Sequence, residues 1–203
     1  MLQTQVFTKV RKHVSRMGAL VLFTLVLASE SGWKDAPVWG DVFYCCGVVL
    51  IGVAVAGRVW CSLHITGFKA LALITTGPYS TSRNPLYFFS LLGAVGVGLV
   101  TRTLLMPALI AVLFAAIYIP VIREEEAELT ERHGTAYADY RKRVPVFLPS
   151  FRLLQEPAAC QVNTRGFRKR LWDSIWFIWA LVFLDIVGTL HGTGALPVLF
   201  RIR

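Results

Sequence analysis

The stretch TTGPYSTSRNPLYFFSLLGAVGVGLV, residues 75–100, begins as a polar turn and ends as a helix that would dissolve in lipid. Gly77–Pro78 punctuates its first half, as such pairs do in turns. Asn84 precedes Pro85 and is biased to extended backbone. Asparagine is a favoured N-cap and proline a favoured first helical residue, so Arg83-Asn84-Pro85 predicts a helix start. That start leaves backbone N–H groups and the positive end of the helix dipole at the membrane surface, where a carboxylate or phosphate is welcome. A plain anchor has no use for Tyr79, Arg83, Asn84 and Tyr87 at such a mouth.

The rest of the chain is also built for lipid. It is 55% hydrophobic and 16% charged over 203 residues, with a mean hydropathy of +0.58, more apolar and less charged than a soluble domain. A spanning helix needs roughly 20 mainly apolar residues. Spans are expected at 17–33, 38–57, 85–101, 103–122 and 173–193. The expected fold is all-α: a polytopic transmembrane helix bundle of about five spans, forming one domain over 1–203. The basic, apolar N-terminal stretch also has the outline of a signal peptide. A retained first span is expected, since cleavage would put the next basic loops on the wrong side.

Charge orients the bundle. Lys9, Arg11, Lys12 and Arg16 precede the first span, and Arg58, Lys69 and Arg83 lie between the second and third. Ten more Lys and Arg, from Arg123 to Arg170, lie between the fourth and fifth, leaving Lys34, Arg102, Arg201 and Arg203 for the other side. The positive-inside rule then puts the N-terminus and the long loops in the cytoplasm. The net charge of +9 is mostly this topology signal. A nucleic-acid partner is not expected, because the basic residues flank spans and form no recognition motif. With no organellar transit pattern, a bacterial inner membrane is favoured over the endoplasmic reticulum.

Several reactive residue types carry no signal. Cys45, Cys46, Cys61 and Cys160, and His13, His64, His133 and His191, show no metal-ligand spacing, so no metal is expected. Asp41 and Asp185 fall at or within spans, where acids are expensive; Asp185 is expected to pair with a neighbouring helix. Trp172, Trp176 and Trp179 fit an interfacial aromatic belt.

Residues 119–149 should continue the fourth span as a helix beyond the membrane, with a kink at Pro120 and strong helix formers in REEEAELTERH. Gly134 suits a C′ cap. Tyr137 and Tyr140, three apart, share a face if a second short helix follows; Pro145 and Pro149 end it. Glu124, Glu125, Glu126 and Glu128 crowd the first part of this segment. On the cytoplasmic side anionic lipid would repel them, so something cationic should compensate: Arg83, Arg123 or a positively charged ligand.

Three segments together resemble the isoprenylcysteine carboxyl methyltransferases and related phospholipid methyltransferases. LITTGPYSTSRNPLY (73–87) is similar to their first motif and EEAELTERHGTAYADYRKRVPVFLP (125–149) to their second, while RVWCSLHITG (58–67) resembles the segment upstream. The resemblance covers 58–149, under half the chain. It implies an integral-membrane enzyme that binds S-adenosylmethionine at the cytoplasmic face and methylates a lipid-like acceptor reaching in from the bilayer. It implies cofactor contacts from Tyr79, Arg83, Asn84, Pro85, Tyr87, Glu125, Glu126, Tyr137 and Tyr140, and a catalytic role for Arg58 facing the acceptor.

The chemistry agrees with that assignment. A helix start plus Arg83 suits the cofactor's carboxylate. Glu125 or Glu126 suits its ammonium, and tyrosine faces suit the sulfonium or the adenine ring. Asn84 stands where the eukaryotic pattern has histidine, and cannot become cationic or act as a base. His133 replaces a phenylalanine. The last span, within 171–203, is an addition that lines the acceptor path, drives homo-oligomerisation or anchors the chain. Two other readings stand beside this one. A relative of NADPH-dependent sterol reductases is disfavoured by the missing extra spans and by an acidic pair ill-suited to a 2′-phosphate. A non-catalytic membrane subunit or transporter component would make Asp41 and Asp185 the telling residues.

Overall fold

The computed structural model describes residues 17–31, 37–66, 73–160 and 162–202. Residues Met17–Ala28 form α1. Proline, with no N–H to lose, then opens each of the next three helices: α2 at Pro37–Ile65, α3 at Pro78–Thr81 and α4 at Pro85–Val100. The long α5 runs over Leu105–Arg143, a single 3-10 turn over Phe151–Leu153, and α6 over Thr164–Gly192. Two three-residue strands, β1 at Ser29–Ser31 and β2 at Phe200–Ile202, pair in parallel with Ser29 opposite Phe200.

The fold is the expected all-α membrane bundle. α2, α5 and α6 are each long and apolar enough to cross a membrane, while α1 and α4 are apolar but shorter. The 16 residues of α4 reach about 24 Å at 1.5 Å per residue, against a hydrocarbon core of about 30 Å. Val49, Val112, Trp172, Trp176 and Trp179 stand exposed, a surface that water would punish and lipid would solvate.

Some boundaries differ from expectation. The first span was expected over 17–33, but its helix stops at Ala28, where the chain joins the ladder with β2. α6 starts well before 173, so Arg165, Arg168, Lys169 and Arg170 of the expected linker occupy its first turns. Pro120 lies inside α5 without non-helical dihedrals; the break falls instead at Gly134, with φ 52° and ψ −122°. The positive φ fits the expectation of a glycine there. The ψ does not match the left-handed cap, so the helix turns sharply and resumes rather than ending.

Contacts gather the described chain into two compact units. The first comprises residues up to 50, 94–119 and from 178 on. Here Asp41 pairs with Arg102 at 3.1 Å, whose guanidinium lies 5.2 Å from the Tyr44 ring centroid. Tyr44 Oη donates to Asp185 at 3.3 Å, so Asp185 of α6 has the neighbouring-helix partner that was expected, on α2. A Cβ on Gly47 would lie 2.7 Å from the carbonyl of Gly96; the missing side chain lets α2 and α4 approach backbone to backbone, as small residues do in membranes.

The second unit comprises 51–93 and 120–177. Its core has two clusters: Cys61, Ile65, Tyr79 and Phe89 in one, Tyr137, Tyr140 and Val144 in the other. Gly57 receives the Phe89 ring. Gly77, at φ 60°, receives the His64 imidazole, and an added Cβ would lie 2.2 Å from its Nε2.

These two positive-φ glycines separate strain from crowding. Nothing lies within 4 Å of a Cβ built on Gly134, so Gly134→Ala should cost only the backbone term, of order 1–3 kcal/mol. Gly77→Ala should lower the thermal midpoint further, and His64→Ala in the same chain should recover the excess. Thermal unfolding in detergent measures all three; equal losses for the two glycine variants would contradict the packing argument.

Candidate functional site

The polar turn before α4 is held from two directions. Within it, Ser80 Oγ donates to the Gly77 carbonyl and Thr81 Oγ1 to that of Pro78, both at 2.7 Å. From outside, the segment after α5 lies along it as a strap. Arg83 N donates to Pro145 O at 2.9 Å and Ser150 N to Thr81 O at 2.8 Å. Ser82 Oγ donates to Phe147 O at 2.9 Å, and Gln155 N to Ser80 Oγ at 2.9 Å. These bonds satisfy backbone groups that a buried turn would otherwise leave orphaned, and they fix where the side chains of 79–87 point.

Asn84 occupies the N-cap position, its carbonyl accepting from Phe88 N at 3.1 Å. Its side-chain amide donates to Val146 O at 3.0 Å, so it also pins the strap.

α5 supplies the opposite wall. Arg83 Nη1 meets Glu126 Oε1 at 2.8 Å, with the two side chains only 8% and 18% exposed. Tyr87 Oη donates to Glu125 Oε1 at 2.9 Å. Beyond the Gly134 turn, Tyr140 Oη donates to the Tyr79 carbonyl at 2.7 Å, and the Tyr137 and Tyr140 rings lie 5.9 Å apart. The second tyrosine pair thus clamps the first motif.

Between these walls lies a cavity of about 240 Å³. Tyr79, Arg83, Asn84, Pro85, Tyr87, Glu125, Glu126, Tyr137 and Tyr140 all line it. Arg58 does not: its Nη1 donates to Ser90 Oγ and its guanidinium lies 5.6 Å from the Phe177 ring centroid. Glu128 of the acidic run also lines the cavity, as do Leu129 and Arg132, which were not singled out as site residues from the sequence. Glu128, Leu129 and Arg132 follow Glu125 by three, four and seven positions, which is one helix face. Arg132 reaches Glu128 at 2.6 Å, at the exposed rim.

Three donors in this site are buried without a hydrogen-bond partner among the described residues: Tyr79 Oη, Tyr137 Oη and Arg83 Nε, with Arg83 Nη1 taken up by the ion pair to Glu126. Burial pushes the Tyr79 hydroxyl well above the usual phenol range, so at neutral pH it remains a donor. Buried donors are rarely left unpaired. Arg83 Nε and Tyr79 Oη fit a ligand carboxylate or other acceptor, the glutamates fit a ligand cation, and Leu73, Ile74 and Leu129 offer an apolar floor. The donor set therefore suits a small ligand bearing both charges.

Comparison with known proteins adds an independent line. The profile of the phospholipid methyltransferase family matches residues 42–136. A nickel-cobalt-cadmium resistance protein of Alcaligenes xylosoxydans xylosoxydans is 33% identical over 190 residues, covering 94% of this chain and 88% of that protein. A cobalt-zinc-cadmium resistance protein of Cupriavidus metallidurans is 35% identical over 180 residues, covering 87% and 82%. No solved structure matches the chain.

Removing one member of a buried ion pair leaves the other uncompensated, at a cost of about 3–5 kcal/mol. Arg83→Met should therefore lower the thermal midpoint more than Glu126→Gln, which keeps an acceptor for Arg83. The double variant Arg83→Met/Glu126→Gln should recover part of the loss. Thermal unfolding checks the order, and additive losses would mean the two side chains do not act as a pair.

Proposed function

The chain belongs to the phospholipid methyltransferase family, and from that premise we propose that it is a membrane-embedded methyltransferase using S-adenosylmethionine to methylate a lipid-like or amphiphilic acceptor. What supports this most is the convergence of two segments far apart in sequence, 79–87 and 125–140, on one cavity that holds unpartnered donors beside carboxylates. In this reading Arg83 Nε and the start of α4 hold the cofactor's carboxylate. Glu125 holds its ammonium, because Glu126 already holds Arg83. Tyr79, Tyr87, Tyr137 and Tyr140 shape the remaining wall, and Tyr79 Oη donates to the bound molecule.

The cofactor supplies a methyl group made electrophilic by its sulfonium. The protein's task is then alignment and exclusion of water. The strap from Pro145 to Gln155 and the Tyr140–Tyr79 bond hold the cavity wall in position. Arg58 orients an anionic acceptor by exchanging its bond to Ser90 for one to the acceptor; a prenylcysteine-type carboxylate needs no base, whereas a phospholipid amine must first lose a proton. The site faces the cytoplasm by the distribution of Lys and Arg.

The names of the two relatives connect those proteins with metal resistance. Among the described residues no group of three or more His, Cys, Asp or Glu is arranged to hold a metal ion. A part in metal resistance, if this chain shares it, is proposed to run through methylation of a membrane component.

In detergent, S-adenosylmethionine and S-adenosylhomocysteine should each raise the thermal midpoint and NADPH should not; a ligand at 100 times its Kd stabilises by about 2.7 kcal/mol. Glu125→Gln/Glu126→Gln should abolish the rise. Lipid extracts incubated with methyl-labelled cofactor should gain label in one lipid fraction. Absence of any midpoint shift with either sulfur nucleoside would overturn the proposal.

A further inference from the structure

The charges lining the cavity do not balance. Arg83 is spent on Glu126 at 2.8 Å and Arg132 on Glu128 at 2.6 Å. Glu125 accepts a hydrogen bond from the neutral Tyr87 hydroxyl, and no described cation is paired with it. At formal charges the described lining residues therefore carry a single excess negative charge, and it sits on Glu125. The Glu128–Arg132 pair is at the rim, with side chains 66% and 45% exposed, where water screens it. Glu125 is partly buried, so its charge acts over the cavity with less screening.

That excess matches one form of the cofactor and not the other. With its carboxylate, ammonium and sulfonium, S-adenosylmethionine has a net charge of +1. In methyl transfer the acceptor's lone pair forms the new bond to the methyl carbon. The carbon–sulfur bond breaks and its electron pair stays on sulfur, leaving a neutral thioether. The positive charge passes to the acceptor, which sheds it by neutralising its own anionic charge or by releasing a proton. S-adenosylhomocysteine is therefore net neutral, and the cavity's excess charge no longer has a counterpart.

We propose that Glu125 is the residue by which this site distinguishes the charged methyl donor from its neutral product, so that transfer itself loosens the spent cofactor. The inference rests on the cofactor assignment above. Glu125 acts on the difference between the two forms, beyond any bond it makes to the ammonium that both share. A carboxylate placed to bind both forms equally would improve occupancy and leave product bound as tightly as substrate; unequal binding is what speeds turnover.

Equilibrium binding to the full chain in detergent, by calorimetry, tests this. The ligands are S-adenosylmethionine, S-adenosylhomocysteine and sinefungin, an analogue with a protonated amine near the sulfonium position. The parent should bind both charged ligands at least about tenfold more tightly than the neutral product, since tenfold corresponds to one unfavourable Coulomb contact of modest size. Glu125→Gln should bring that ratio to within about threefold. Arg132→Gln, which adds to the excess negative charge, should widen it, and this holds the test open should Glu125→Gln fail to fold. Glu131→Gln, a neighbouring charge outside the cavity lining, should leave the ratio alone. Equal affinity of the parent for donor and product, or a ratio that neither Glu125→Gln nor Arg132→Gln moves, would overturn the inference while leaving the methyltransferase assignment intact. Failure of the parent to bind any of the three would overturn both.

Discussion

Arg83 precedes α4 and Glu126 lies well inside α5, yet they meet as a buried ion pair at 2.8 Å. Such a pair is costly to bury and costly to break, so it fixes geometry more than it adds stability. Everything at the site is arranged around it. It brings the turn before α4 against α5 and leaves Arg83 Nε available. It also takes Glu126 out of competition for a ligand cation, which gives Glu125 its distinct chemical standing. The strap from Pro145 to Gln155 answers the same constraint from the other side, since a turn that carries a buried guanidinium must have its backbone satisfied without water.

Much of this was legible in the sequence because it is written in strong local signals. Apolar runs gave the helices, and Asn84-Pro85 gave the start of α4 to the residue. Gly134 announced a change of backbone direction after the acidic run. The nine expected cofactor residues belong to two compact motifs, and both line one cavity. Leu129 and Arg132 went unmarked although helical periodicity from Glu125 points to them, and Glu128 was marked only as part of the acidic run. The strap was not legible, because it contributes through backbone groups, the carbonyls of Pro145, Val146 and Phe147 and the N–H groups of Ser150 and Gln155, which almost any residue could supply. Likewise the end of α1 at Ala28 depends on pairing with residues near 200, a contact that no local pattern encodes.

Arg58 stands apart from the proposed cofactor cavity. The resemblance makes it an acceptor-facing arginine, and the structure turns it to Ser90 and the Phe177 ring. Phe177 belongs to α6, the helix that the resemblance does not cover, so this added element reaches the residue on which acceptor chemistry is proposed to turn. In the other compact unit, Asp41 and Asp185 find partners in Arg102 and Tyr44. Their cost in an apolar setting is thereby offset within the protein, which favours a structural role for them over a transport pathway.

The central claim is that the segments around Arg83 and Glu125 enclose one molecule of the sulfur nucleoside. The most direct measurement is photo-crosslinking of the full chain with a photoreactive S-adenosylhomocysteine derivative, followed by peptide mapping. Label in both 79–87 and 125–140, displaced together by excess S-adenosylmethionine, is the predicted result. Label confined to one of these segments, or lying elsewhere in the chain, would contradict it.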